Sequence, residues 1–286
     1  VVIVLQLMRL AQCFGRGGTW GGGILMAYEN VPENKRSFYA AIPQIGLPIG
    51  FGLSSILIAV PTLLLPEDIF FTWGWRIPFL AAIILTVIVI RQKGEMMETE
   101  DYKKAQAKLE AEEAEGKKHK VGFIPMVKGY WKTLLLGCGT RWVDGTFYNI
   151  FIVWILSYCI NWLGMPLIQT YIITIIACIF KIPFTLFGGW CAQKLGNTRT
   201  FVIGALASAV LSIPTLKVIE LSKGNLAITI IGIVLGWSIA YNLIWAVISS
   251  LWSSYFETEV RYSGISFVYH VPSFLVAGMV PTICTL

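Results

Sequence analysis

Residues 167–192 read LIQTYIITIIACIFKIPFTLFGGWCA, an apolar run that contains a single charged side chain, Lys181. About twenty apolar residues are enough for an α-helix to cross the hydrocarbon core of a bilayer, which is roughly 30 Å thick. A charged side chain at that depth costs about 2.5–3.5 kcal/mol on insertion scales, so it usually faces a cavity, a partner or a substrate. This stretch therefore predicts a transmembrane helix that carries a functional cation.

Other runs of similar length and character accompany this one. We place the predicted spans at residues 1–27, 38–64, 74–91, 133–160, 167–192, 200–219, 225–248 and 262–286. Hydrophobic residues make up 56% of the 286-residue chain and charged residues only 13%, which excludes a soluble domain. The predicted fold class is all-α, a polytopic membrane protein with about eight transmembrane helices.

The connectors between the runs alternate in charge. The odd connectors carry most of the Lys and Arg residues, above all residues 92–132 with nine lysines. The positive-inside rule therefore places the odd connectors in the cytoplasm and the even ones outside. Residues 92–132 are also rich in Ala and Glu, which predicts a solvated surface helix, with a regulatory arm as the alternative. This distribution of the net charge of +6 indicates a membrane protein and argues against nucleic acid as a partner.

The cysteines give no sign of a metal or redox site. All six lie in apolar segments and none forms a CxxC pair, so we interpret them as small core residues. We predict no metal and no cofactor. The chain opens on VVIVLQLMRL without a basic signal region and ends inside an apolar run, so we expect it to be a piece of a longer protein.

The first run continues as RLAQCFGRGGTWGGGILMAYENVPENKRSFYAAIPQIGLPIG, residues 9–50. This stretch resembles the metabolite:proton symporter family of the major facilitator superfamily, whose members carry organic acids, shikimate, proline and betaine. The later WGWRIPF (73–79) and VRYSG (260–264) resemble the family too and follow in the expected order. In the first stretch the matching residues are Arg9, Gln12, Gly17, Gly18, Trp20, Gly21, Gly22, Pro43, Gln44, Gly46, Pro48 and Gly50.

The resemblance implies a twelve-helix carrier, built from two halves, that works by alternating access. It maps this chain onto helices four to eleven of that fold. Residues 1–91 are then the last three helices of the N-terminal half, residues 92–132 a cytoplasmic linker, and residues 133–286 the first five helices of the C-terminal half. We expect a monomer in the cytoplasmic (inner) membrane, with a small-molecule substrate, protons and the lipid bilayer as partners.

Two departures from the family pattern bear on mechanism. Thr19 stands where the family usually has Glu, which argues against the usual mode of proton coupling. The family's loop between its eighth and ninth helices usually reads G-x-x-x-D-R-x-G-R-R, and this chain lacks the acidic residue, which weakens the expected conformational latch. The residues at this loop are Gly189, Gln193, Lys194, Gly196, Thr198 and Arg199.

Arg9, Gln12, Arg16 and Trp20 fall on one face of the first predicted helix. In one interpretation this face is the wall of a cavity that attracts anions, since the planar guanidinium of arginine binds a carboxylate through two hydrogen bonds. In the other, the arginines pair with acids or carbonyls on helices that this chain lacks.

Arg141 and Asp144 lie three residues apart and are predicted to pair on one helix face. The pair either only lowers the cost of insertion or opens when Asp144 takes a proton. Lys181 is too deep to extend its ammonium to the interface, so we assign it to a cavity, with an unseen acid as the alternative partner. Pro183 predicts a break in that helix nearby.

Three further sites complete the candidates. Gln44 lies between Pro43 and Pro48, which both favour a bend, and it either satisfies a freed carbonyl or reaches substrate. His270 is either a proton relay near neutral pH or a structural histidine. Tyr241 and Asn242 either line the cavity or pack in the core.

The predicted spans thus contain Arg9, Arg16, Arg141 and Lys181 against Asp144. We hypothesise a secondary transporter that takes an anionic metabolite, a carboxylate, in symport with protons, with Asp144 or His270 setting the state. The alternative within the fold is a carrier of a zwitterionic osmolyte or a drug. A different class is an integral-membrane enzyme or scaffold, but an enzyme should show clustered His, acidic or Ser residues, whereas the charges here are isolated.

Overall fold

The computed structural model describes Val4, Met8, residues 19–93 and residues 123–285. This part of the chain is built of helices and contains no strand. The short helices Glu67–Thr72 and Phe123–Gly129 precede two of the longer ones. We number the longer helices in chain order: α1 Thr19–Glu29, α2 Glu33–Leu64, α3 Gly74–Arg91, α4 Trp131–Asn161, α5 Leu167–Leu195, α6 Asn197–Leu221, α7 Leu226–Ser253 and α8 Thr258–Thr285.

Within the described residues, the helices α2 to α8 are long and apolar enough to cross a membrane. Their outer faces carry large apolar side chains that are mostly exposed, such as Leu64, Phe79 and Val210. A helix that is apolar on every side is typical of a membrane span. The predicted all-α membrane class is therefore confirmed. The surface helix predicted for the linker falls mostly on residues 94–122, which lie outside the described ranges.

The helix α7 continues to Ser253, five residues past the predicted end of its span. Its terminal serines bond back to carbonyls of the preceding turn, as the Ser253 hydroxyl does to the Ser249 carbonyl at 2.8 Å. Such local bonds give serine an acceptor within its own helix, so a polar side chain can extend a membrane helix without a distant partner. The apolar pattern alone underestimates this helix for that reason.

The prolines act differently from one another. Pro43 begins a 3₁₀ turn, Pro43–Ile45, which separates the two α-helical parts of α2. Pro48 adds no second break, because it lies in the first turn of the following helix, where a missing N–H loses no hydrogen bond. The predicted break near Pro183 is wrong: α5 is continuous from Leu167 to Leu195. Membrane helices tolerate an internal proline when neighbouring helices support them, and α5 packs along both α2 and α7.

The helices α4 and α7 each contain a π-helical segment, Asn149–Trp154 and Val234–Ala240. A π segment widens the helix locally and changes the direction of the side chains that follow it. The two segments pack together at Gly236, where an added Cβ would lie 2.3 Å from Phe151 Cε1. Only glycine allows this approach, and the contact fixes the rotation of α7 against α4.

The described interior lies where α4, α5, α7 and α8 meet. The helix α7 contributes the fully buried Trp237, Tyr241 and Trp252. The helices before the linker also reach this region, because α2 packs along α5 and Trp20 of α1 stacks on Tyr269 of α8 at 4.3 Å. Aromatic side chains from both sides of the linker therefore surround the same interior.

Candidate functional site

A buried carboxylate lies at the centre of the interior. Asp144 of α4 is fully buried and forms an ion pair with Arg141 one turn earlier. The Tyr241 hydroxyl donates a hydrogen bond to the other carboxylate oxygen of Asp144 at 2.7 Å. The predicted pairing of Arg141 and Asp144 is thus present, and Tyr241, a predicted lining residue, joins it from α7. Because each of its two oxygens has a partner, the Asp144 carboxylate is held firmly between α4 and α7.

Arg141 has several partners in the interior. Besides Asp144, its Nε donates to the Ser273 hydroxyl of α8 at 2.9 Å. Its guanidinium also lies over the ring of Tyr269 at 4.2 Å from the centroid. An aromatic face attracts a cation at this distance. Arg141 therefore links α4 to α8 and leaves little of its charge without compensation.

Lys181 is in a different state. It is fully buried in the middle of α5, and its Nζ has no hydrogen-bond partner among the described residues. The ammonium lies over two aromatic rings of α7, at 4.8 Å from the Trp237 centroid and 4.5 Å from the Tyr241 centroid. Buried cations are normally paired and hydrogen-bonded, because desolvation of a charge is costly. Lys181 therefore has a hydrogen-bonding capacity that the described residues do not use.

Trp237 shares this property. Its indole nitrogen is a buried donor without a described acceptor, and its ring face is the one that Lys181 contacts. Two neighbouring donors thus lack acceptors among the residues that the structure describes. We call the set Arg141, Asp144, Lys181, Trp237 and Tyr241 the charge cluster.

Polar contacts between α5 and α7 hold Lys181 in place. The Asn242 amide donates to the Lys181 carbonyl at 2.8 Å and to the Thr185 hydroxyl at 3.0 Å. One turn earlier, the Ser238 hydroxyl donates to the Ala177 carbonyl at 2.8 Å. The sequence leaves Asn242 between cavity lining and core packing; in the structure it is fully buried and binds the backbone of Lys181, while its neighbour Tyr241 faces the ammonium. The backbone carbonyl of Lys181 thus accepts hydrogen bonds, whereas its Nζ has no partner in the described part of the chain.

Gln44 lies outside the charge cluster. It is buried, and its amide donates to the Trp245 carbonyl at 3.3 Å, while the Trp245 indole donates to the Gln44 carbonyl at 3.1 Å. This reciprocal pair joins α2 to α7 next to the turn at Pro43. The structure thus places Gln44 in a contact between helices, and the carbonyl that it binds belongs to α7 and is not one freed by Pro43 or Pro48.

His270 lies on the exposed side of α8. Its Nδ1 is 2.9 Å from the Ser266 carbonyl, and its ring contacts the edge of Tyr269 at 5.0 Å between centroids. Tyr269 in turn carries the guanidinium of Arg141. His270 is therefore one aromatic ring away from the charge cluster and does not contact Asp144.

The predicted stripe on the first helix lies mostly beyond the described ranges. Arg9, Gln12 and Arg16 are among the residues that the structure does not describe. Trp20, the last residue of that stripe, stacks on Tyr269 and meets Trp252 edge-on at 5.7 Å. This contact directs its face of α1 toward α8, and Gly21 beside it lies against the Ser266 hydroxyl.

At one end of the bundle, the C-terminal end of α5 contacts the start of α2. The Gln193 amide donates to the Asn34 carbonyl, and Gln193 Oε1 accepts from the Phe38 backbone N–H at 3.3 Å. Phe38 is in the first turn of a helix, where backbone donors have no partner within the helix, so Gln193 satisfies one of them. A Cβ on Gly189 would lie 2.7 Å from Ala41 Cβ, which explains the close approach of α5 to α2.

The other residues of the predicted loop are exposed, but the prediction of a loop is wrong for all of them except Gly196, because α5 continues to Leu195 and α6 begins at Asn197. Lys194 and Arg199 both face outward. Gly196 connects α5 to α6 with φ +91°, a conformation that L side chains rarely adopt. Of the loop residues in the prediction, the structure brings Gly189 and Gln193 against α2.

The sequence interpretation missed an ion pair at the same end. Glu29 of α1 and Arg261 of α8 pair at 2.7 Å, and both side chains are nearly buried. Arg261 belongs to the VRYSG motif and Glu29 follows the glycine-rich stretch, so the motifs signalled the positions but not their pairing. We call Glu29, Asn34, Phe38, Gln193 and Arg261 the rim cluster.

Ser273, Thr185 and Ser238 were also missed, because single hydroxyls in apolar runs carry no distinctive pattern. Within the described ranges, no group of His, Cys, Asp and Glu residues is placed to hold a metal ion. The five cysteines that the structure describes there are free.

Comparisons with known proteins identify the family of the chain. A family model described as Major Facilitator Superfamily matches residues 1–279. The chain is 29% identical to the inner membrane metabolite transport protein YhjE of Escherichia coli and 27% identical to the shikimate transporter of the same organism. Each alignment covers 98% of this chain and 63% of the relative.

The chain is also 28% identical to the proline/betaine transporter of Escherichia coli, over 98% of this chain and 56% of that protein. It thus spans less than two thirds of the length of these relatives. All three relatives are named as transporters and none as an enzyme.

Proposed function

The chain belongs to the major facilitator superfamily, and from that premise we propose that the whole protein is a secondary transporter that carries a small organic anion, a carboxylate, in symport with protons. The observation that carries this proposal is the Lys181 ammonium, which is fully buried and has no acceptor among the described residues. The protein would lie in the inner membrane as a monomer, with the linker on the cytoplasmic side.

The charges of the cluster favour an anion. Arg141 and Asp144 neutralise each other, which leaves the positive charge of Lys181 in excess. An uncompensated buried ion costs several kcal/mol even after the protein relaxes around it. A carboxylate offsets this cost by its charge and by accepting hydrogen bonds from Lys181 and from the unpaired indole N–H of Trp237.

Asp144 is the residue that we propose takes the proton. When its carboxylate is ionised, Arg141 and Tyr241 are both bonded to it, and α4 is tied to α7. When it is protonated, the ion pair is lost and Arg141 is released within the bundle. The substrate site and the contact between helices then change together, which is what coupling by alternating access needs. His270, one ring away beside Tyr269, is the second candidate.

The rim cluster is the proposed conformational latch. It joins α1 and α2 to α5 and α8 through an ion pair and two hydrogen bonds. Exchange between two states of the carrier would break these contacts and remake them. Gln193 would act here through its amide, where the family pattern has a charged pair.

A zwitterionic osmolyte is the second candidate, since one relative is named as a proline/betaine transporter. The aromatic rings beside Lys181 are also of a kind that binds quaternary ammonium groups. The ammonium of Lys181 lies over those rings, however, and would repel the cation of a betaine. An enzyme or scaffold is disfavoured because the family and these relatives are transporters.

Uptake by the full-length protein in proteoliposomes tests the proposal. The probes are labelled succinate, shikimate, proline and glycine betaine, each with and without an inward proton gradient. We expect a carboxylate to accumulate with the gradient and an uncoupler to abolish the accumulation. Accumulation of glycine betaine or proline alone would favour the osmolyte alternative, and uptake of none of the four would refute the substrate classes considered.

The substitution Lys181→Gln sharpens this test. We expect it to lower carboxylate uptake on the order of tenfold or more, because an ion pair with the substrate is lost. Lys217→Gln is the matched control, since Lys217 is an exposed cation whose ion pair with Glu220 faces solvent. Equal carboxylate uptake by both variants would show that Lys181 does not bind the substrate.

A further inference from the structure

The surroundings of Lys181 match those of a bound cation. Its Nζ lies 4.8 Å from the Trp237 centroid and 4.5 Å from the Tyr241 centroid. Aromatic faces within about 6 Å attract cations, and pockets of such faces bind choline and methylated ammonium ligands. The Trp237 and Tyr241 side chains, both fully buried, therefore form a cation pocket that a side chain of the protein itself occupies.

Asp144 strengthens this pocket. The Tyr241 hydroxyl donates to the Asp144 carboxylate at 2.7 Å, which polarises the phenol and makes its ring a better partner for a cation. The carboxylate also lies just beyond the ring, on the side of its hydroxyl. Aromatic faces with a carboxylate close behind them attract the positive charge of an alkylammonium group.

A lysine with a purely structural role would donate hydrogen bonds from its ammonium to a nearby oxygen. Here the neighbouring polar groups bind the Lys181 backbone: Asn242 and Thr185 both donate to its carbonyl. The Nζ has no described acceptor and lies against the rings. The contact with the rings is therefore the one that places the ammonium.

We propose that Lys181 is a specificity-determining residue: its ammonium fills the cation pocket of Trp237 and Tyr241 and thereby bars substrates that carry a cationic group. Betaines and other alkylammonium compounds are excluded, and anions remain. That anions are the remaining substrates rests on the proposed function, whereas the exclusion of cationic groups rests on the contacts of Lys181 alone.

Replacement of Lys181 by a small residue opens the pocket. Lys181→Ala removes three carbons and the nitrogen, and propylammonium supplies the same four heavy atoms. Lys181→Met is the matched control, because it removes the charge and keeps the pocket filled. Each full-length protein is purified in detergent and titrated by calorimetry with propylammonium, and with 1-propanol as a neutral ligand of the same size.

The Ala variant should bind propylammonium on the order of tenfold or more tightly than the Met variant and the wild type do, and more tightly than it binds 1-propanol. Equal affinity of the Ala and Met variants for propylammonium would overturn the proposal. So would equal affinity of the Ala variant for propylammonium and 1-propanol, because the pocket would then select for volume and not for charge.

A second measurement needs no substitution. Glycine betaine and propylammonium should not bind the wild-type protein, and saturable binding of either would overturn the proposal whether or not the Ala variant folds.

The transport proposal and the cation-pocket proposal can be refuted separately. If the wild type carries no carboxylate but the Ala variant binds propylammonium as expected, the transport proposal fails and the pocket stands. If the wild type carries a carboxylate and the Ala and Met variants bind propylammonium equally, the transport proposal stands and the cation pocket is refuted.

Discussion

Two regions of the molecule join helices from distant parts of the chain: the charge cluster around Asp144 and the rim cluster around Glu29 and Gln193. In the rim cluster the one cation, Arg261, bonds to Glu29 and to the Phe256 carbonyl. In the charge cluster one cation has a carboxylate and the other, Lys181, has no described acceptor. In the rim cluster the charged groups are paired with each other. The charge cluster contains hydrogen-bond donors for which the described residues offer no acceptor.

The regions also differ in what they connect. The charge cluster lies within α4, α5 and α7, all of which follow the linker. The rim cluster bridges helices before the linker to helices after it. We therefore expect substitutions in the first region to affect stability and substrate together, and those in the second to affect mainly the balance between conformations.

The largest effect should come from Asp144→Asn. This change leaves the nearly buried Arg141 without its carboxylate, and removal of one partner from a buried ion pair costs about 3–5 kcal/mol. We expect a clear fall in the thermal unfolding midpoint in detergent. Asp68→Asn, at an exposed carboxylate in the connector between α2 and α3, is the control and should leave the midpoint almost unchanged. Similar midpoints for the two variants would contradict the central role of Asp144.

An intermediate effect should come from the Glu29 and Arg261 pair. In a double-mutant cycle with alanine, nearly buried partners should show a coupling energy of about 1–2 kcal/mol, within the range for residues in direct contact. The exposed pair Lys217 and Glu220 is the control and should couple by about 0.5 kcal/mol or less. Thermal unfolding of the four proteins in each cycle gives both values. Equal coupling in the two cycles would mean that the rim pair is not a structural contact.

The smallest effect should come from Gln193→Ala. It removes one side-chain acceptor from the Phe38 N–H and one donor from the Asn34 carbonyl, and a typical hydrogen bond contributes about 1 kcal/mol. The Phe38 amide should exchange hydrogen for deuterium faster, as measured by mass spectrometry of the peptide that contains it. Lys194→Ala, at the exposed neighbour, should leave that rate unchanged. An unchanged rate in the Gln193 variant would show that the latch does not depend on this side chain.

Part of the site could be predicted because it is local. Arg141 and Asp144 are three residues apart, and helix geometry alone brings them to one face. The other partners lie far along the chain: Tyr241 is 97 residues from Asp144, and Gln193 is 155 residues from Phe38. No periodicity predicts such pairs, because they depend on how one helix is rotated and shifted against another.

The predicted break at Pro183 failed for a related reason. A proline removes one hydrogen bond from its own helix, and that local cost is all that the sequence reveals. The packing of α5 between α2 and α7 supports a continuous helix, and that packing is a property of three helices together.

The sequence by itself located the seven apolar runs that the described residues show as helices long enough to cross a membrane, because hydrocarbon thickness sets how many apolar residues a crossing needs. It also identified Lys181 as an exceptional residue, since any charge at that depth is costly. Only the tertiary structure decided that the Lys181 ammonium lies on Trp237 and Tyr241 without an acceptor. The π segments and the contact of Gly236 with Phe151 set the rotation of α7, and that rotation brings the two rings to the lysine.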